Sequence, residues 1–328
     1  MATLTLRRGR RRSPLNAEDA LAGWIFILPA MLIYVIFIFG PVLYAIFISF
    51  FKWELVSPGR TWVGLDNYRT LIHDEDFWTA FRNTCWYAAI VVPVQTTTGL
   101  VLAVLANRRI RGRTFFRTSF YFPSISSSVV VSIIFLWMYS SRGLINYVLK
   151  SLGFPTPRPV WLANPRGVIE IALSHLGIDH VSVWLQGPSV ALLSIMLLNI
   201  WTTTGTMMVI FLAGLQDMPT EVYEAAALDG ASRFRLFRDI TVPLIKPVTL
   251  FVLTIGFIGC FQVFDQIWVM SEGGPAKTTT TLVYLIYSEA FQFGAGFGYA
   301  ASIAMVLLSM VLTIYFIQQR LAGEAVER

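Results

Sequence analysis

Residues 189–216 read SVALLSIMLLNIWTTTGTMMVIFLAGLQ and hold no charged side chain. A membrane-spanning helix needs about 20 apolar residues, because in hydrocarbon only a helix or a closed barrel satisfies its own backbone hydrogen bonds. The run is long enough for a helix and far longer than a tilted barrel strand of about 10 residues. Outward from it, uncharged runs recur at Ala20–Phe51, Asn83–Asn107, Thr118–Ser141 and Ala295–Gln319, and Val248–Met270 is uncharged but for Asp265.

The composition agrees: of 328 residues, 13% are charged and 55% hydrophobic, whereas a soluble domain is about a quarter charged. As one helix, Ala20–Phe51 measures roughly 48 Å, longer than the hydrocarbon layer and too short for two crossings. One long helix, tilted or kinked at Gly40-Pro41, fits. The fold expected is an all-α integral membrane protein of six transmembrane helices. They form a single domain over 20–319, between a basic N-terminal tail, 1–19, and a short C-terminal tail, 320–328.

Charge fixes the expected orientation. Arg7, Arg8, Arg10, Arg11 and Arg12 precede the first run. Arg108, Arg109, Arg111, Arg113 and Arg117 crowd the second connection, Arg233, Arg235, Arg238 and Lys246 the fourth, and Arg320 and Arg328 follow the last run. Such clusters stay inside, so both termini are expected in the cytoplasm, the chain crossing the membrane several times. Trp53, Trp62, Trp78 and Trp161 then suit an aromatic belt at the opposite interface. On this reading the net charge of +6 is a topology signal and not a nucleic-acid surface. The first run is too long for a cleaved signal peptide and is expected to be retained. Residues 167–187 are fairly apolar but carry Glu170, His175, Asp179 and His180. A seventh span there would push the basic fourth connection outside, so an external or interfacial helix is expected within an external insertion at about 159–187.

Catalytic and metal sites find no support. Cys85 and Cys260 lie far apart in apolar runs, and His73, His175 and His180 lie outside them without metal-ligand spacing. No nucleophile–base constellation appears, so an enzyme is not expected. Asp265, in CFQVFDQIWVM near the end of the fifth run, is the one ionisable residue in the six runs. An acid there reads as interfacial sooner than as a proton relay, which opposes a self-contained secondary carrier or channel. With no GxxxxGK[ST] loop, any ATP must be bound elsewhere.

The fourth connection, 216–247, reads QDMPTEVYEAAALDGASRFRLFRDITVPLIKP. Pro219 and Glu221 suit a helix start, Glu224 to Ala227 continue it, and Asp229-Gly230 stop it. Ser232 can cap a second helix, with Phe234, Phe237 and Ile240 near helical spacing and Pro243 and Pro247 ending it. The result is a helical elbow.

Glu224-Ala225-Ala226, Gly230, Ile240 and Pro243 stand at the spacing of a known loop signature. The chain resembles the permease subunits of binding-protein-dependent ABC importers, from about Trp24 to the end of the sixth run. The resemblance implies a type I importer permease fold and an ATPase-coupling role for Glu224, Ala225, Ala226, Asp229, Gly230, Arg233 and Pro243. It also implies two ATPase subunits that bind ATP and magnesium, a second, related permease making a heterodimer, and an external substrate-binding protein. No cofactor is expected in this chain. Gly273-Gly274-Pro275, Thr278, Leu282, Tyr284, Tyr287 and Phe122-Pro123 look like the carbohydrate-uptake branch, which includes oligosaccharide and glycerol-phosphate permeases; the long connection at 165–187 departs from that pattern. A sugar is met by amides and aromatic rings, so Asn199, Trp201, Phe261, Gln262, Phe264 and Asp265 are the candidate substrate pathway. The Ser124–Ser128 and Thr202–Thr204 clusters equally suit helix–helix hydrogen bonding.

Overall fold

The computed structural model describes residues 17–54, 59–108, 111–154, 160–178, 181–292 and 296–326. The arginines of the N-terminal tail, Arg109, Asp179, His180, Arg328 and the start of the insertion at 159 lie outside these residues.

The first run forms α1 (Ala17–Tyr34), a π-helical segment (Val35–Phe39) and α2 (Gly40–Ile48). The break expected at Gly40-Pro41 is taken up as a π turn. Pro41 lacks an N–H and its ring crowds the carbonyl four residues back, so the ladder widens and the Gly40 N–H reaches the Val35 carbonyl. This rod barely packs on the rest of the chain, only 6% of its most apolar window being buried.

A two-residue hairpin follows, β1 (Phe51–Lys52) against β2 (Thr61–Trp62), antiparallel with Phe51 opposite Trp62. It departs from the all-α expectation, and aromatic contacts hold it: Trp62 stacks on Phe50 at 5.7 Å and meets Phe51 edge-on at 5.0 Å. Next come α3 (Asp66–His73) and α4 (Glu75–Asn107). Helix α4 starts at Glu75 and not at Asn83 because Asp74 caps it, accepting the Asp76 N–H at 2.9 Å.

The expected single span Thr118–Ser141 is instead two helices, α5 (Arg113–Ile125) and α6 (Ser128–Met138), bent at 97°. Ser126 and Ser127 leave helical conformation between them, with ψ of 148° and 130°. Helix α7 (Leu144–Ser151) leads to the insertion, in which α8 (Val168–Ser174) is a helix of only 7 residues. The run 189–216 is α9 (Val190–Gln216), as read.

The fourth connection gives α10 (Thr220–Leu228), α11 (Arg233–Leu236), a second π segment (Phe237–Thr241) and α12 (Val242–Leu244). The helix ends at Leu244, between Pro243 and Pro247 as expected, and the π turn absorbs the donor missing at Pro243, with the Val242 N–H reaching the Phe237 carbonyl. The axis then turns by 65° into α13 (Lys246–Phe261). The fifth span, expected to Met270, stops at Phe261 and restarts as α14 (Asp265–Met270). A further apolar helix not foreseen from sequence, α15 (Leu282–Phe291), precedes α16 (Phe297–Val326). Among the described residues, four helices are long and apolar enough to cross a membrane, or up to six if each bent pair is one span.

Helices α4 and α9 form the spine of the core. Tyr87, Val91, Leu192, Ile195 and Leu198 are fully buried, and small residues set the helix spacing. A Cβ on Gly99 would lie 2.7 Å from Met207 Cβ, and one on Gly205 would lie 2.2 Å from the Phe120 carbonyl of α5. Close backbone approach of this kind drives association where lipid removes the hydrophobic difference between helices. Ser124 Oγ also donates to the Thr202 carbonyl at 2.5 Å, pinning α5 to α9.

Candidate functional site

The chain offers two sites, a helical elbow at one end and a polar cleft amid the helices. In the elbow, Glu221 occupies the first turn of α10, and the helix closes as a Schellman motif. The Ala231 N–H bonds the Ala226 carbonyl at 3.0 Å and the Gly230 N–H bonds the Ala227 carbonyl at 3.1 Å. Gly230 supplies the left-handed step at φ +75°. Ser232 then caps α11 through the Arg235 N–H. Tyr223 shares a hydrogen bond with Thr241 at 3.0 Å, so α10 is tied to the π segment across the elbow. Arg233 stands with Arg108, Gln216, Tyr223 and Phe237 around a hollow of ≈ 790 Å³ between the elbow and the ends of α4 and α9.

Helix α10 has no buried residue. Glu224, Ala225, Asp229 and Gly230 are exposed, Ala226 is half-buried, and Leu228 is 89% exposed. Apolar surface presented on a short, capped helix is a surface for another macromolecule to cover. Pro243 sits past the π segment, in α12.

The cleft, of ≈ 440 Å³, lies between α4, α9 and the broken fifth span. It brings together four of the sequence-selected residues, Asn199, Gln262, Phe264 and Asp265. Two others point elsewhere. Trp201 follows Asn199 by two residues, about 200° around the helix, and lines a separate groove with Phe120 and Pro123. Its ring lies 5.4 Å from Phe135. Phe261 is buried in the core beside Phe257.

Gln95, Ser128, Thr203, Thr206 and Gly256 also line it, beside the apolar Met207, Ile255 and Val263, and were not singled out as pathway residues in the sequence. Gln95 accepts from Thr203 Oγ1 at 2.6 Å, and Asn199 donates to Tyr87 at 2.6 Å. Gly256 makes room for this arrangement: a Cβ there would lie 2.7 Å from Gln95 Nε2. Ser128 donates to Asp265 Oδ2 at 2.8 Å, linking the break in the third span to the break in the fifth. Phe264 is backed by Tyr287 at 5.2 Å and stacks on Trp268 at 6.1 Å. The readable signal was the i, i+4, i+7 stripe Asn199, Thr203, Thr206, which puts three polar residues on one face of α9. The cleft thus sets amides, hydroxyls, one aromatic face and one carboxylate among apolar side chains, a combination that binds hydroxylated ligands by hydrogen bonds and stacking.

Comparison with known proteins supplies the context. Residues 95–323 match the family described as binding-protein-dependent transport system inner membrane component. The lactose transport system permease protein LacF of Rhizobium radiobacter is 32% identical over 316 residues, covering 95% of this chain and 98% of that protein. The trehalose/maltose transport system permease protein MalF of Thermococcus litoralis is 32% identical, over 93% and 96%. A chain in the crystal structure of a bacterial alginate ABC transporter, in complex with its pentasaccharide-bound periplasmic protein, superposes with a TM-score of 0.74. At 21% identity it covers 93% of this chain and 95% of that one, which shows the fold to be shared.

Proposed function

The chain belongs to the family of binding-protein-dependent transport system inner membrane components, and on that premise we propose that it is one permease subunit of a sugar importer driven by ATP. As a permease it contributes no catalysis of its own. The observation that carries the reading is the elbow, whose short helix α10 is closed by a Schellman turn at Gly230, exposed on its surface, and set between α9 and the α11–α12 arm that leads into α13.

In this reading the chain crosses the cell membrane of a prokaryote six times, α5 and α6 together counting as one crossing and α13 as another, with both tails and the elbow in the cytoplasm. A second, related permease completes the pathway. Two ATPases hold ATP and magnesium, and one of them receives α10 through Glu224, Ala225, Ala226, Asp229, Gly230 and Arg233. The 65° turn around Pro243 carries their movement into α13, which lines the cleft. An external binding protein delivers the sugar, and Asn199, Gln262, Phe264 and Asp265 meet it with Gln95 and Thr203. The named carriers of lactose and of trehalose and maltose support a sugar as cargo.

The test is to purify the tagged chain from native membranes and identify its companions. Recovery of an ATPase and a second permease is expected. Recovery of this chain alone, still able to move solute into liposomes, would overturn the reading.

A further inference from the structure

The cleft carries a charge of one sign. Asp265 is its one charged side chain, and no lysine, arginine or histidine is among the described residues that line it. The carboxylate takes one hydrogen bond, from Ser128 to Oδ2, and its side chain is exposed. Around it stand the neutral donors and acceptors of Gln95, Asn199, Thr203 and Gln262. Among the described residues Asp265 forms no salt bridge, unlike the acids of the chain's surface such as Asp76, which pairs with Lys277 at 2.5 Å. An uncompensated charge in a confined cleft acts on whatever enters: it accepts from hydroxyls, attracts ammonium groups and repels carboxylates and phosphates.

We propose that Asp265 sets the charge of the cargo, admitting neutral and amino sugars and turning away uronates and sugar phosphates. The inference rests on the reading of the chain as a sugar permease and sharpens it, since discrimination against a charged competitor comes as much from repulsion built into a site as from attraction to the preferred ligand. It assigns to the membrane subunit a selection that acts after, and independently of, the external binding protein. Asp265 opens α14 directly after the break at 262–264, and at that break it stands beside the cleft.

The experiment uses the purified whole complex without its external binding protein, so that no upstream receptor can impose the filter. Binding of three neutral trimers, maltotriose, cellotriose and xylotriose, is titrated beside the glucosamine trimer and the galacturonic acid trimer. The tightest neutral trimer and the glucosamine trimer are expected to bind at least about tenfold more tightly than the galacturonic acid trimer, the scale of one charge–charge repulsion. Asp265→Asn should narrow that ratio to about twofold, and Asp265→Lys should reverse it, with both variants retaining the wild-type gel-filtration profile and ATPase association. Equal binding of the uronate and neutral trimers to the wild type, or an unchanged ratio in Asp265→Asn, would overturn the charge filter while leaving the sugar reading intact. Binding of none of the trimers, with transport of some other solute, would overturn both.

Discussion

At Gly230 the backbone stands at φ +75°, and a Cβ built there would meet nothing within 4 Å. The glycine is therefore needed for its backbone angle and not for space. A β-branched side chain in the left-handed region costs about 1–2 kcal/mol and favours release of the Schellman turn. Gly230→Val is expected to insert into the membrane normally and to lose most ATP-driven uptake, whereas Gly230→Asn, which tolerates that angle, should keep most of it; reconstituted uptake measures both. Gly256 and Gly259 make the converse pair. A Cβ on Gly256 would lie 2.7 Å from Gln95 Nε2, while one on Gly259 meets nothing within 4 Å. Gly256→Ala should dislodge Gln95 from Thr203 and lower stability by about 1–3 kcal/mol, the range for overpacking. Gly259→Ala should leave the melting temperature unchanged, so equal melting of the two variants would contradict the packing described. The sequence offered Gln95 as one amide in a long apolar run, and nothing local distinguished it from a helix-bridging polar residue.

The elements are shaped by where the helical ladder gives way. Two π segments each end two residues before a proline, at Pro41 and Pro243; the helix runs on past Pro41 to Ile48 but stops at Leu244, one residue after Pro243. The third and fifth spans break outright, at Ser126–Ser127 and at 262–264, and the hydrogen bond from Ser128 to Asp265 joins the two breaks. Helix contacts depend on small residues to the same degree. Gly205→Leu would drive a side chain into the Phe120 carbonyl, 2.2 Å from its Cβ, and is expected to separate α5 from α9 and abolish the folded monodisperse protein. Ser124→Ala removes one interhelical hydrogen bond and should cost about 0.6 kcal/mol, in line with such bonds in membranes. Thermal unfolding in detergent distinguishes these outcomes.

Across the whole molecule, the end opposite the elbow is held by a loop folded back on α4. Asn83 donates to the Thr280 carbonyl at 3.0 Å, and Lys277 pairs with Asp76 at 2.5 Å. Tyr299 donates to Asp74, and the half-buried Glu289 of α15 stands near both aspartates. Burial, then the charges of Asp74 and Asp76, raise the Glu289 carboxyl above its ordinary value, and Lys277 opposes the rise. A carboxyl raised in the folded state contributes stability below its unfolded pKa and loses it as pH climbs through the folded one. The melting temperature should therefore fall as pH rises above the usual carboxylate range, less steeply in Glu289→Gln and more steeply in Lys277→Met. At this scale the origins of the architecture separate. Sequence alone determined that the chain is a helical membrane protein, where α9 runs and where the elbow starts, turns and is capped, because hydropathy, capping residues and a positive-φ glycine act within a few residues of themselves. It grouped Asn199 with Asp265 but could not determine that Gln95 joins them, that Trp201 turns away, or that the α5–α6 and α13–α14 breaks lie beside each other. Those follow from which faces of α4, α9 and α13 meet, and that is decided by packing between residues far apart in the chain.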